Sequence, residues 1–288
     1  MGTVAGLVGL TLLTGCDFSG SDYQDVLGRT DQRLTGALAT VRLAPEPDEL
    51  GRAVRAAADA AGWAGDELTR ATSVPDEAAA GNAALAGRLR GLSGDITALA
   101  ERVDGRAVCT GPAALAAIGA APNMPGLRDG AARLAPPYRW GAALPSAEPP
   151  PAPPRLANGQ LLTDRRTPEQ RGDGVLEVRN EGTVDAVVKL VDRGNLLVSV
   201  AVTAGGGARV EGIADGAYDL FYTAGADWDP AVGAFAHDCE FHRFTELSRF
   251  QTRPVPGGTA YTVESITIRD NPDTPESITP VPPALLPG

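Results

Sequence analysis

Histidine and cysteine, the residue types best suited to metal binding or nucleophilic chemistry, occur close together only once in this sequence. The segment from His237 to His242 contains both histidines of the chain and Cys239. Imidazole and thiolate are zinc ligands. On an extended strand, however, His237 and Cys239 would share a face and His242 would point to the other one. We therefore expect no metal site here and no bound cofactor in the chain.

The sequence contains three cysteines, Cys16, Cys109 and Cys239. If Cys16 serves another purpose, Cys109 and Cys239 form an even pair that could become a disulfide in an oxidising compartment. The alternative is two separate thiols, one buried in each half of the chain. Sequence does not give the distance between the two Cα atoms, so both readings stay open.

Sequence patterns of catalysis are absent. The chain has no Gly-x-Ser-x-Gly elbow, no phosphate-binding glycine loop and no His-Glu-x-x-His motif. The two histidines lie within one strand length, which leaves little room for a Ser-His-Asp arrangement. A pair of distant carboxylates would leave no local pattern, so an extracytoplasmic carboxylate-dependent hydrolase is kept as an alternative. Our main expectation is that the protein does not catalyse a reaction.

Aromatic and acidic residues cluster near residue 228, and this is the candidate binding surface. Asp227, Trp228 and Asp229 follow a predicted strand, with Tyr222 and Phe235 nearby. Aromatic side chains beside a polar loop are typical of recognition surfaces. The alternative is a turn in which Trp228 covers the core while the acids face water.

The stretch 172–269 must position these residues, and its pattern is that of β strands. Apolar residues alternate with polar ones in several short runs separated by glycine turns. One run places Leu196, Val198, Val200 and Val202 on one face, and another does the same for Tyr218, Leu220 and Tyr222. Short strands at this spacing predict an antiparallel β-sandwich.

Within this stretch, the sequence from Val210 to Leu220, VEGIADGAYDL, resembles the turn-and-strand signature of prealbumin-like domains of the carboxypeptidase regulatory-like class. The following aromatic segment is similar to a β module of uncharacterised bacterial envelope proteins. The resemblance implies a sandwich that binds or braces other parts of an assembly.

Residues 17–143 show helical periodicity instead. Helices are expected from Tyr23 to Val41, from Asp48 onward, after Ser73 as a cap, and again after Thr110. The third helix has apolar residues at heptad spacing: Leu85, Leu89, Leu92, Ile96, Leu99 and Val103. This face predicts either packing inside a helical bundle or, alternatively, an oligomeric scaffold in which helices of several copies meet.

The first 16 residues form a short apolar segment that ends in Leu13-Thr14-Gly15-Cys16. It is too short to span a bilayer of about 30 Å, and it resembles the signal peptide and lipobox of bacterial lipoproteins. The resemblance implies that the Cys16 thiol receives a diacylglycerol and becomes the anchored N-terminus on the extracytoplasmic face of the cell membrane.

Two proline-rich stretches complete the predicted organisation. Residues 144–171 are expected to be an extended linker between the two domains, and residues 270–288 a disordered tail. The net charge of −11 argues against nucleic acid as a partner. The sequence thus predicts an α+β chain of two domains, lipid-anchored and extracytoplasmic, which acts as a binding or structural module toward another envelope protein or a cell-wall component.

Overall fold

The computed structural model describes residues 18–146, 153–270 and 278–287. The N-terminal region is helical and the C-terminal region is a mostly antiparallel assembly of strands, so the chain is α+β as predicted. The helices are α1 Phe18–Leu43, α2 Pro47–Arg70, α3 Asp76–Asp104, α4 Gly111–Gly119 and α5 Met124–Ala132.

The starts of α2, α3 and α4 follow local chemistry. Pro47 opens α2, and Asp48 and Glu49 place negative charge in its first turn, where the helix dipole is positive. α4 begins after Thr110 as predicted, and the Thr110 side chain accepts from the Ala113 amide. The predicted cap at Ser73 is wrong, because α3 begins only after Pro75 and no side chain caps it. Proline disfavours helical backbone in the residue before it, which delays the start.

One apolar core runs through the five helices. The heptad residues of α3 all belong to it and are at most 5 % exposed. α2 packs against α3 and buries several alanines, whose small side chains let the two helices approach closely. The heptad face is therefore used inside one chain, and an oligomeric scaffold would need another surface.

The first three helices alternate in direction, which defines two ends of the helical region. At one end, the Tyr23 hydroxyl donates to Asn82 Oδ1 at 3.2 Å, and Asn82 Nδ2 donates to the Leu68 carbonyl at 3.0 Å. At the other end, Arg55 on α2 pairs with Asp104 at the end of α3 at 2.8 Å. None of the helices in the described ranges is long and apolar enough to cross a bilayer.

Twelve strands are described. They are β1 Leu161–Asp164, β2 Gly174–Asn180, β3 Asp185–Asp192, β4 Asn195–Val202, β5 Gly207–Ile213, β6 Gly216–Asp229, β7 Ala234–Phe244, β8 Ser248–Phe250, β9 Thr252–Val255, β10 Gly258–Tyr261, β11 Val263–Ile268 and β12 Ile278–Pro280. The larger sheet has the order β1-β4-β3-β6-β7-β12, with β8 paired to β6. A second sheet has the order β11-β2-β5, and β9 and β10 form a hairpin. Among the described strands, only β2 and β11 pair in parallel.

An apolar core lies between the two sheets. The predicted alternation places Tyr218, Leu220 and Tyr222 of β6 in this core. The prediction for β4 is wrong at one residue, because Leu196 packs with Val191 on the opposite face of the sheet. A register shift between Leu190 and Val191 inserts one extra residue in β4, and such a bulge reverses the faces beyond it.

Both predicted proline-rich boundaries need correction. β1 lies within residues 144–171 and pairs with β4, so part of the expected linker belongs to the sheet. In the expected disordered tail, Ile278 is buried in the inter-sheet core, and β12 pairs with β7. Proline-rich sequence can lie at the edge of a sheet because an edge strand does not need every amide.

Candidate functional site

A bulge in β6 and β7 shapes the end of the larger sheet where the candidate binding surface was expected. The register shifts between Ala224 and Ala226, and both Asp227 (φ 57°) and Asp238 (φ 50°) have left-handed backbone. A Cβ on Gly225 would lie 2.7 Å from that of Phe235, so this crossing requires glycine. Bulges turn side chains to new directions and are frequent beside functional sites.

The bulge separates the three aromatic residues of the expected surface. Tyr222 faces the core between the sheets, whereas Trp228 and Phe235 lie on the opposite face. All three are buried, with 2 %, 8 % and 1 % exposure. The predicted aromatic surface is therefore wrong. Trp228 and Phe235 meet edge to face at 5.1 Å and pack around Cys109 and Cys239.

Of the two acids of the expected surface, Asp227 is exposed and Asp229 is half-buried. The Asp227 carboxylate lies 3.0 Å from His237 Nδ1. Asp229 accepts from the amides of Ala231 and Val232, which closes the turn before β7. Buried Trp228 and exposed Asp227 match the alternative in which Trp228 covers a core, whereas Asp229 is only partly solvated.

A disulfide joins the helical region to the β region. It links Cys109, between α3 and α4, to Cys239 on β7, with a Cα–Cα distance of 6.3 Å. Two backbone hydrogen bonds flank it: the Cys109 amide donates to the Ala236 carbonyl at 2.9 Å, and the Cys239 amide donates to the Arg106 carbonyl at 3.2 Å. The segment 106–109 thus covers part of the edge of β7. Cys16 lies outside the described residues.

The candidate zinc ligands have separate partners. Cys239 is in the disulfide, His237 pairs with Asp227, and His242 Nε2 lies 3.1 Å from Glu240 Oε2. Across the described residues, no group of three or more His, Cys, Asp or Glu side chains is arranged to hold a metal ion.

A cleft of about 600 Å³ opens beside the disulfide, between the end of α3, the edge of β7 and the C-terminal tail. We refer to it as the junction cleft. Its lining residues are Asp48, Arg106, Cys239, Glu240, Phe241, His242, Asp270, Pro280, Val281 and Pro282. Cationic, acidic and aromatic side chains of the helical and β regions line it together.

A second cleft, of about 740 Å³, lies in the helical region beside Tyr138 and Trp140. Asp31 lines it and accepts from the Gly141 amide at 3.2 Å. Burial raises the pKa of this carboxyl, and the amide hydrogen bond partly opposes the increase. Asp31 is the only acidic residue among the described residues that line the cleft, so the carboxylate pair of a hydrolase is not assembled there.

Sequence reasoning overlooked Arg106. The available signal was Gly105-Arg106 at the end of a strongly periodic helix, three residues before a cysteine. A residue placed just after a helix end often adopts left-handed backbone, and Arg106 does so with φ 60°.

No family model, curated protein or solved structure matches this chain.

Proposed function

We propose that this chain is a lipid-anchored, extracytoplasmic envelope protein that acts as a binding or structural module and is not an enzyme. In this proposal, Cys16 carries the lipid, the helices form a spacer, and the β region is presented away from the membrane. The two regions would be separate domains, and the two sheets a β-sandwich.

The observation that carries this proposal is the placement of the two ends of α1. Residue 18, only two positions after Cys16, begins a helix of 26 residues. At 1.5 Å per residue, such a helix is about 39 Å long. The helix end near Tyr23 is opposite the end that carries Arg55, Asp104 and the disulfide. With α1 along the membrane normal, an anchor at Cys16 would hold the β region roughly 40 Å from the membrane.

Two further observations support the compartment and the domain organisation. Stable disulfides form in oxidising compartments and are rare in the cytosol. Among the described residues, the buried helical core ends at Trp140 and the inter-sheet core begins at Leu176. A third, smaller cluster around Cys109 and Cys239 connects the two.

Anchoring is tested by expressing the chain in a bacterium that processes lipoproteins, with a clickable fatty acid in the medium. We expect the wild-type chain to be labelled and to sediment with membranes, and Cys16→Ser to be unlabelled and released. A Cys109→Ala/Cys239→Ala control should still be labelled, because Cys16 is intact. Equal fractionation and labelling of wild type and Cys16→Ser would refute the anchor.

The spacer role is tested by energy transfer to a dye in the membrane. A fluorophore attached at Asp22→Cys, in the first turns of α1, should transfer energy efficiently to the membrane dye. The same fluorophore at Thr259→Cys, on the exposed β9–β10 hairpin, should transfer weakly because of the distance. Similar transfer from both positions would contradict a helical spacer.

A further inference from the structure

A long strand edge of the β region pairs with nothing in the described part of the chain. β10 and β11 follow each other directly, from Gly258 to Ile268, with Thr262 between them. β10 pairs with β9, and β11 pairs with β2. The opposite edge of both strands has no neighbouring strand among those described. We refer to this opposite edge of residues 258–268 as the open edge.

Three backbone hydrogen bonds place β9 and β2 on the same side of this segment. The Thr262 amide donates to the Gln251 carbonyl at 3.1 Å, and the Thr262 carbonyl accepts from the Val175 amide, also at 3.1 Å. The Ile268 carbonyl accepts from the amide of the residue after β2 at 2.9 Å. Along a strand, the backbone groups of successive residues point to alternate edges. The odd-numbered residues from 259 to 267 therefore present their amides and carbonyls to the open edge.

The open edge is accessible to another chain. Tyr261 and Val263 are 47 % and 46 % exposed, and Ser265 is also exposed. Residues 258–268 contain no proline and one charged residue, Glu264, whose backbone groups point toward β2. An exposed strand edge with few charges is a ready template for pairing with another strand.

Other strand edges of the β region carry the protection that the open edge lacks. On β9, Pro254 has no amide hydrogen, and the Thr252 amide donates to Asp215 at 2.9 Å. On β5, the Arg166 guanidinium donates to two backbone carbonyls. β1 has four residues and an irregular register, and β12 has three residues. Because natural proteins normally block exposed edges by such means, an unblocked edge indicates that a strand pairs there.

The symmetry and the charge of the open edge favour a second copy of the chain as its partner. Residues 258–268 are centred on Val263, so antiparallel pairing with the same segment of a second copy uses the whole length. In that register, Val263 lies opposite Val263 of the second copy, and Glu264 lies opposite Thr262, so like charges do not meet. About ten backbone hydrogen bonds form, two at each pair of odd-numbered residues. Because each copy has a net charge of −11, contact through a nearly uncharged edge limits their repulsion.

We propose that two copies of this chain associate through the open edge, by antiparallel pairing of β10 and β11 about a two-fold axis at Val263. The two β11-β2-β5 sheets then join into one continuous sheet. Such a contact is isologous, which is the commonest arrangement in homodimers. The heptad face of α3 is buried inside one chain, and the open edge supplies a different surface for contact between copies. The inference goes beyond the proposed binding role and does not depend on the lipid anchor.

The test is sedimentation equilibrium of the full chain with Cys16→Ser, which carries no lipid. We expect monomer and dimer in a concentration-dependent ratio, with a dissociation constant of about 100 μM or below. Val263→Lys places two ammonium groups beside the two-fold axis and should weaken dimerisation by about tenfold or more. Val232→Lys is the matched control, because Val232 is 39 % exposed in the turn before β7, outside the open edge. It should dimerise like the chain without this substitution.

A cross-link tests the register without adding charge to the strand. The Cα atoms of a hydrogen-bonded antiparallel pair are about 5.5 Å apart, a distance that a disulfide spans. Val263→Cys, in the chain with Cys16→Ser, should form an intermolecular disulfide under mild oxidation. Mass spectrometry should find the peptide that contains residue 263 joined to itself. Val232→Cys should give much less cross-linked dimer.

The proposal is overturned if the chain stays monomeric at about 1 mM, or if Val263→Lys dimerises as tightly as Val232→Lys. It is also overturned if Val263→Cys forms no more cross-linked dimer than Val232→Cys. Circular dichroism and the mass of the Cys109–Cys239 peptide pair show that each variant is folded. If Val263→Lys does not fold, the cross-link decides, since Val263→Cys replaces valine with a side chain of similar size.

Discussion

The helical region and the β region are held together by contacts of different range. Helices α1, α2 and α3 pack against their sequence neighbours, with small residues such as Gly65 and Ala86 at the points of closest approach. In the β region, β2 pairs with β11, so that Val175 lies opposite Val263. Helical packing therefore depends on side-chain size at each position, whereas the β region depends on register between distant segments. The Cys109–Cys239 disulfide joins the two regions covalently.

Removal of the disulfide should have the largest effect on stability. It closes a sequence separation of 130 residues, and loss of such a constraint costs about 4 kcal/mol. We expect Cys109→Ala/Cys239→Ala to unfold in two steps, whereas the wild type unfolds in one. Urea unfolding would be followed by circular dichroism for the helices and by Trp228 fluorescence in a Trp63→Phe/Trp140→Phe background. Coincident transitions in the double variant would show that the regions cooperate without the bond.

Two leucine truncations compare the cores directly. Leu89 in the helical core and Leu220 in the inter-sheet core are both fully buried. Each leucine-to-alanine change should cost about 3 kcal/mol through lost burial and the cavity left behind. In the variant without the disulfide, Leu89→Ala should shift only the helical transition and Leu220→Ala only the Trp228 transition. A shift of both transitions by either change would mean that the cores unfold as one unit.

A pair of glycines tests the close approach of α2 and α3. A Cβ at Gly65 would lie 2.9 Å from the Ala86 carbonyl oxygen and 2.9 Å from Arg90 Cγ. Gly65→Ala should therefore destabilise the helical region by about 1–2 kcal/mol, since overpacking outweighs the gain in helix propensity. Gly87→Ala is the control, because nothing lies within 4 Å of a Cβ there. It should stabilise by about 0.5–1 kcal/mol. Equal thermal midpoints for the two variants would contradict the tight packing.

Acid should weaken the β region through Asp164. The buried Arg166 guanidinium donates to both carboxylate oxygens of Asp164, at 2.9 and 2.8 Å, and to the carbonyls of Glu211 and Gly212. The Arg166 hydrogen bonds hold the pKa of Asp164 well below its usual value. The stabilisation is present above the unfolded pKa of about 3.9 and is lost as pH falls through the folded pKa. The urea midpoint of the wild type should fall between about pH 5 and pH 2 as this stabilisation is lost, and Asp164→Asn should not show that fall.

Alkali should weaken the helical region through Tyr23. Burial, and then the charge of Tyr138, raises the pKa of Tyr23 from 10.0 to about 12. Its contribution to stability is complete below pH 10 and is lost as pH rises through about 12. Tyr23→Phe should be less stable at neutral pH, because Asn82 Oδ1 loses its donor, but its stability should change less above pH 10. An identical alkaline decline in both proteins, measured by circular dichroism, would exclude Tyr23 as the cause.

Much of the fold could be predicted from periodicity. The positions of Leu85 to Val103 placed one face of α3 in a core, and the glycine turns separated the strands. The candidate binding surface failed because the strand was expected to end before Asp227, whereas β6 continues through Gly225 to Asp229. A bulge at that point moved Trp228 to the opposite face from Tyr222. Nothing in the sequence around Gly225 distinguishes a bulge from a turn.

By itself, the sequence determined which half is helical and which is strand, because helix and strand periods follow from local backbone geometry and the burial of one face. The tertiary structure decided that Cys109 meets Cys239, that the expected tail joins a sheet, and that Arg106 and His242 line one cleft. These are contacts between residues more than 30 positions apart in the chain, and they depend on how complete elements pack.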